Sequence, residues 1–298
     1  MMNYEEFKTT ILNEIRKELC ANAEITIQSV IKNNDLHLDG LTIHEANTNI
    51  APTIYLNHYY STLSSGEMTL QEIIQNILTV YKQNRCHANI NMTYFTDFNV
   101  IKDRICYKLV NTEKNKELLT SIPHVPFLDL SLVFYYLVDS SSTEIATILI
   151  QNNHMKWWNT NLDALYELAK ENTPKLLPYK LDSMGSILKL LDPKIILDNN
   201  ADDLFPMYVL TNIKQLHGAT CILYPDVLKD FANKINQNLY ILPSSVHETL
   251  LIPAFDDTDA DNLSEMVKEV NSTCLASDEL LSEHVYYYNR ETDKISCS

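Results

Sequence analysis

MYVLTNIKQLHGATCILYPDVLKDFANKINQNLYILPSSVHETLLIPAF, residues 207–255, is the stretch from which the fold class can be read. Tyr208 to Asn212 is a run of strand formers, His217-Gly218 marks a tight turn, and Ala219 to Tyr224 reads as a second strand. Pro225 then opens a helix, since proline is tolerated in a first turn and Val227, Leu228, Phe231, Ala232 and Ile235 fall on one side of it. Two further strands are joined through Leu242-Pro243-Ser244-Ser245-Val246-His247-Glu248. Strand pairs followed by a helix predict antiparallel sheets with helices packed on them, an α+β fold.

The layout recurs on both sides of this stretch. Downstream lie an acidic loop, a helix from Leu263 to Val270, and a hairpin of Val285 to Tyr288 with Ile295 to Cys297. Upstream, Phe127 to Val138 and Ile145 to Ile150 form a hairpin across Ser140-Ser141-Ser142-Thr143, and the near-continuous apolar run predicts strands buried on both faces. A helix over Leu162 to Glu171 follows, closed by Asn172-Thr173-Pro174. Residues 174–206 carry one helical stripe (Met184, Ile187, Leu188, Leu191) among prolines, and read as a connector or surface excursion. Phe95 to Leu119 gives mixed signals: a helix on Phe98, Ile101 and Ile105, a strand at Cys106 to Val110, and a helix from Thr112.

The first part of the chain is clearer. Tyr4, Phe7, Ile11, Ile15 and Leu19 make an amphipathic helix. Three alternating segments follow, at Ile25 and Ile27, Leu36 to His44, and Thr53 to Leu56, with a turn at Asn33-Asn34-Asp35. Thr69 and Glu72 form a capping box ahead of a second stripe, Leu70 to Tyr81. This helix, three-strand, helix unit is expected to end near residue 119, with a C-terminal α+β unit over 120–298. The order matches that of a double-stranded-RNA-binding domain, which grips phosphates with lysines at its second helix. Here Glu67, Gln71 and Glu72 stand there instead, which excludes that reading.

Composition narrows the functional classes. Thirty-nine acidic residues against 23 basic ones give a net charge of −16, which repels phosphate backbones and argues against direct nucleic-acid binding. The four glycines are far apart, so no phosphate-cradling loop for a nucleotide cofactor is expected. The six cysteines lack C-x-x-C spacing and the nine histidines are dispersed, so no metal site is expected from local sequence. The cysteines read as reduced thiols. With neither a signal-peptide layout nor an apolar run of bilayer length, the expectation is a soluble cytoplasmic protein with no membrane contact.

Several segments resemble a family of uncharacterised bacterial proteins classed as a domain of unknown function. They are Tyr208 to Asn212, Gly218-Ala219, Tyr240 to Glu248 (Y-I-L-P-S-S-V-H-E), Met266 to Asn271 and Leu281 to Tyr286, with the N-terminal Met2 to Phe7 and, further along, Val110 to Asn115. The resemblance implies a bacterial protein, cytoplasmic or carried on a mobile element. It lends no reaction and no catalytic residue.

The sharpest chemical candidate is Ser244, Ser245, His247 and Glu248. On an extended segment Ser245 and His247 share a face, which suits general-base activation of a hydroxyl. The same residues suit a turn in which Ser245 and Glu248 satisfy backbone groups, and no G-x-S-x-G surrounds the serines. The acidic loop from Asp256 fails as a calcium loop counted from Asp257, since Asn262 and Lys268 stand where glycine and glutamate belong; Asp261 or Asn262 is expected to cap the next helix. Trp157, Trp158, Tyr286 and Tyr287 are candidate partner contacts. The resulting expectation is a non-catalytic binding or regulatory module whose partner is another protein. The alternatives are a hydrolase using Ser245 and His247, and an acidic DNA mimic that occupies a nucleic-acid-binding enzyme.

Overall fold

The computed structural model describes residues 2–19, 23–45, 48–85, 93–138, 146–191, 206–255, 260–273 and 275–298. The proposed serine-rich hairpin turn (140–143), the acidic end of the connector (198–203), most of the acidic loop (256–259) and Cys20, Cys86 and Cys274 lie outside the described residues. Two units are present, residues 1–94 and 95–298.

In the first unit, α1 (Tyr4–Glu18) precedes an antiparallel meander of β1 (Glu24–Ile31), β2 (His37–His44) and β3 (Thr53–Tyr55), then α2 (Leu56–Ser65) and α3 (Leu70–Asn84). Helix α1 starts at a capping box: Asn3 Oδ1 accepts from Glu6 N–H and Glu6 Oε2 from Asn3 N–H, both at 2.9 Å. The Thr69–Glu72 box is formed too, and its hydrogen bonds hold the Glu72 carboxyl below its usual range. Phe7, Ile11 and Ile15 of α1 and Ile73 and Ile77 of α3 are fully buried against Ile25, Leu41 and Ile54. Each such side chain contributes about 1.5–3 kcal/mol of burial. Helix α2 was not expected, although Leu56, Tyr60 and Leu63 carry its three-to-four spacing and Gly66, at φ +78°, closes it in the left-handed conformation.

After α4 (Thr93–Thr96), a single turn at the boundary, the second unit holds the single turn α5 (Phe98–Ile101), then β4 (Ile105–Asn111), α6 (Lys116–Ser121), β5 (His124–Phe127), β6 (Leu130–Val138) and β7 (Ala146–Leu149). β4 pairs along one edge of β6 from Ile105↔Tyr136 to Asn111↔Leu130; β5 and β7 share the other edge. That pairing moves the unit boundary from the expected 119/120 back to 94/95, because a cut at 120 would separate β4 from its partner strand. β6 is buried on both faces, as its apolar run predicts.

Helices α7 (Asn152–Trp158) and α8 (Leu162–Leu176) come next, and α8 runs through Pro174 instead of ending before it. The reason lies in β4, whose second edge is open to α8. Thr173 Oγ1 accepts from Tyr107 N–H at 3.1 Å while donating to Ala169 O at 2.6 Å, so the last turn of α8 is needed to satisfy the strand. Further along, Leu109 N–H donates to Thr220 Oγ1 at 3.3 Å. Thr220 belongs to a 3-10 turn, Gly218–Leu223, where a strand was expected. A hydroxyl placed against the β4 edge takes the role a paired strand would have taken.

β8 (Tyr179–Ser183) and α9 (Met184–Leu191) occupy the segment read as a connector, so its first part belongs to a sheet. β9 (Tyr208–Asn212), α10 (Val227–Ile235), β10 (Leu239–Leu242), β11 (Thr249–Pro253), α11 (Ala260–Thr273), β12 (Tyr286–Asn289) and β13 (Lys294–Cys297) complete the unit. Their antiparallel sheet has the order β13-β12-β10-β11-β9-β8. Ala260, the first described residue of α11, is already helical, which puts Asp261 and Asn262 inside the helix and not at a cap. Among the described residues, no helix is long and apolar enough to cross a membrane.

Leu128 is a costly backbone choice. It opens the two-residue turn between paired Phe127 and Leu130 at φ +53°, and its side chain is 41% exposed. A left-handed L-residue costs about 1–2 kcal/mol, whereas glycine gives back about 0.5–1 kcal/mol as chain entropy. Leu128→Gly is therefore expected to stabilise the protein by about 0.5–1 kcal/mol, read as a rise in the urea midpoint at unchanged slope.

Candidate functional site

The bend after β10 lies against the segment before β12. Ser245 and Leu280 form an isolated antiparallel bridge. Around it Val246 N–H donates to Glu279 O (2.9 Å), Leu281 N–H to Ser244 O (2.8 Å) and Ser282 N–H to Pro243 O (2.9 Å). On the opposite side, Ala219 N–H donates to Val246 O, and Thr211 Oγ1 to His247 O at 2.7 Å. Gly218 lies beside that last contact, with no room for a side chain.

Within this frame Ser245 is buried and its Oγ accepts from His247 N–H at 3.1 Å. The serine hydroxyl thus closes a local turn, the arrangement that competes with a nucleophile–base pair. Ser244 is half-buried and Glu248 is exposed. The half-buried His247 ring turns the other way, with Nδ1 3.3 Å from Gln215 O and Nε2 3.8 Å from Glu279 Oε1. It stacks on His217, centroids 6.3 Å apart and planes within 10° of parallel. His217 stands at the turn that His217-Gly218 predicts, with a φ of +52°, while its ring packs edge-on against Tyr135 of β6.

His217 Nδ1 is enclosed without a hydrogen-bond partner, and burial, with Lys108 and His247 adding like charge, pushes its pKa well below the ordinary value. Unfolded chain therefore binds more protons than folded chain just below pH 6.5. Stability is expected at its full value above about pH 6.5 and to fall as pH drops beneath it. Asparagine tolerates the left-handed backbone, so His217→Asn should flatten the fall, seen by comparing urea midpoints at about pH 7.5 and about pH 5.5. His154, lowered by burial, leaves a smaller slope in that variant.

A second polar cluster joins residues 110–115 to residues 281–286. Asn111 Nδ2 donates to Leu281 O at 2.9 Å while its Oδ1 accepts from Lys114 N–H at 2.9 Å. Asn115 Nδ2 donates to Asn111 O, and Asn271 Nδ2 to Ser282 O. Asp129, at the β5–β6 turn, accepts from Ser282 Oγ at 2.8 Å and from the Tyr286 hydroxyl. Burial first, and then the bond to Asp129, raises the Tyr286 pKa, so the phenol stays a donor. Lys114 pairs with Glu283 at 2.8 Å. Segments 110–115 and 281–286, far apart in sequence, are thus bonded directly. They form a buried seam between the two sheets of this unit.

Tyr286 is fully buried and Trp158 is 7% exposed, with Nε1–H on Phe95 O at 3.0 Å, so neither presents a contact surface. Tyr287 is half-buried, its hydroxyl accepting from Asn238 Nδ2. Trp157 stands 62% exposed. The Cys106 and Cys221 thiols are buried and pushed up to about 12, which keeps them protonated and unreactive. Among the described residues no group of three or more His, Cys, Asp or Glu side chains is placed to hold a metal ion. No curated protein and no solved structure matches the chain. A family model matches residues 4–290, and the chain belongs to that family, the family of unknown function DUF5688.

Proposed function

We propose that the protein is a non-catalytic binding module that recognises another protein, in the cytoplasm of a bacterium. The observation that carries this reading is Trp157. Its neighbour Trp158 is locked into the core among His154, Phe98 and Tyr136, so the exposed indole projects from a fixed helix. Tryptophan offers large contact area at small entropic cost and is enriched among residues that dominate binding energy. The polar residues with catalytic potential, by contrast, are engaged in closing turns and seams. The test is affinity capture from the host cytoplasm with the wild type and Trp157→Ala in parallel, both checked for folding. Partners captured by the wild type should fall about tenfold or more with the variant; an unchanged set overturns the reading.

A hydrolase built on Ser245 and His247 is the second reading, favoured by Glu279 lying against the His247 ring. Turnover of any ester, peptide or phosphoester in a broad panel, abolished by both Ser245→Ala and His247→Ala, would establish it. Turnover absent in the wild type removes it.

A further inference from the structure

Strand β8 ends the six-stranded sheet, and among the described residues no strand pairs with its outer edge. The direction of its backbone groups follows from its two ends. Ile213 N–H donates to Pro178 O at 2.9 Å and Met184 N–H to Met207 O at 2.8 Å. With β8 and β9 paired from Tyr179↔Asn212 to Ser183↔Tyr208, the alternation of an antiparallel ladder makes Lys180 and Asp182 the residues bonded to β9. The N–H and C=O of Tyr179, Leu181 and Ser183 therefore point away from the sheet.

The side chains on this edge are unusual for an open strand. Tyr179 is 49% exposed, and Ile213, bonded to the residue before it, is 57% exposed. Lys180 and Asp182 lie on one face as an ion pair, 2.5 Å apart. Edge strands are commonly protected by a lone lysine, which makes pairing with another edge costly. Lys180 does not act that way, because the sequence Tyr179-Lys180-Leu181-Asp182-Ser183 is self-complementary.

The geometry points to a homodimer formed by antiparallel pairing of β8 with β8 of a second copy, about a two-fold axis through Leu181. In that register Leu181 meets Leu181 of the second copy and Tyr179 meets Ser183, all through outward-facing backbone groups. Lys180 of each copy then stands opposite Asp182 of the other, in the non-hydrogen-bonded positions where side chains approach most closely. The interface is isologous and closes on itself, so it makes a dimer and not a fibre. The opposite edge offers no such match: Lys294-Ile295-Ser296-Cys297 of β13 carries one charge, so no two-fold pairing of the strand sets opposite charges against each other. This inference is independent of Trp157 and of any partner it engages.

Sedimentation velocity on the full chain, over a roughly hundredfold concentration series, tests it. The wild type should reach twice the mass of the 34.3 kDa chain. Lys180→Asp and Asp182→Lys each place like charges opposite one another, and each should weaken self-association by about tenfold or more. An equimolar mixture of the two variants should associate again, since a chain with two acids then faces a chain with two lysines. The charge-exchanged double variant Lys180→Asp/Asp182→Lys keeps its internal ion pair and should dimerise with itself. A wild type that stays monomeric throughout overturns the proposal. So do single variants that associate like the wild type, or a mixture no tighter than its components.

Discussion

Gly218→Ala is expected to destabilise the second unit by about 3 kcal/mol or more, a larger effect than its single added methyl suggests. The cause is close approach and not backbone conformation, since Gly218 is absent from the left-handed region that glycine favours. A Cβ built there overlaps Thr211 Oγ1 and the His247 carbonyl oxygen, and comes within 3.0 Å of Asn212 N. The first two atoms are partners in one hydrogen bond, so the methyl must break it as well as displace backbone. Overpacking costs about 1–3 kcal/mol, and a buried group left unpaired about 1–3 kcal/mol more. For a unit of this size the thermal midpoint should fall by roughly 6–12 °C. Gly40→Ala supplies the contrast, because its nearest contact is the methyl of the Thr53 side chain, the end of a group that can rotate. If the two substitutions lower the midpoint equally, close approach at Gly218 is not what holds the bend.

What could be read from sequence was whatever is decided within about ten residues. The capping box at Thr69 and Glu72, the stripe from Leu70 to Tyr81, the meander and the C-terminal hairpin all formed as expected, because periodicity and caps are local. Ala219 to Tyr224 failed for a non-local reason: its apolar composition suits a strand, but the open edge of β4 needs the Thr220 hydroxyl, and only a tight turn delivers it. Pro174 misled in the same way, since the breaker rule does not know that Thr173 must reach Tyr107. The candidate site was half legible. That Ser245 and His247 are neighbours is plain; that the backbone amide, and not the imidazole, approaches the hydroxyl depends on the path of the chain. His217 reaches His247 only because the Gly218 turn folds onto the bend. Asp129 carried no local signal, since its partners Ser282 and Tyr286 lie more than a hundred residues away.

Three of the segments whose sequence resembles the family meet in space. Residues 110–115, 281–286 and 243–248 are stitched by main-chain groups and side-chain amides. Such a network commits the sequence to one arrangement of two sheets, because every buried member must find its partner at once. A network of that kind fixes architecture. On the proposed reading, specificity for a partner would rest on residues outside it, with Trp157 on α7 and the β8 edge as the two surfaces.

Asp129→Ala should expose how much of the fold depends on that seam, with an expected loss of about 3–5 kcal/mol. The carboxylate accepts from two hydroxyls, Ser282 Oγ and the Tyr286 phenol, on residues that are fully buried. Hydrogen bonds to a charged acceptor are worth about 1.5–3 kcal/mol each, and their loss strands two buried donors without water. Asp129→Asn keeps one oxygen that can accept and should cost about half as much. The decisive comparison is a double-mutant cycle with Tyr286→Phe. Once the phenol is gone, removal of the carboxylate strands one donor fewer, so the two losses should fall short of additivity by about 1 kcal/mol or more. Denaturant unfolding of the four proteins gives that number directly. Additive losses, or an Asp129→Ala cost below about 1 kcal/mol, would mean that Tyr286 is held by packing and that Asp129 does not fasten the β5–β6 turn to β12.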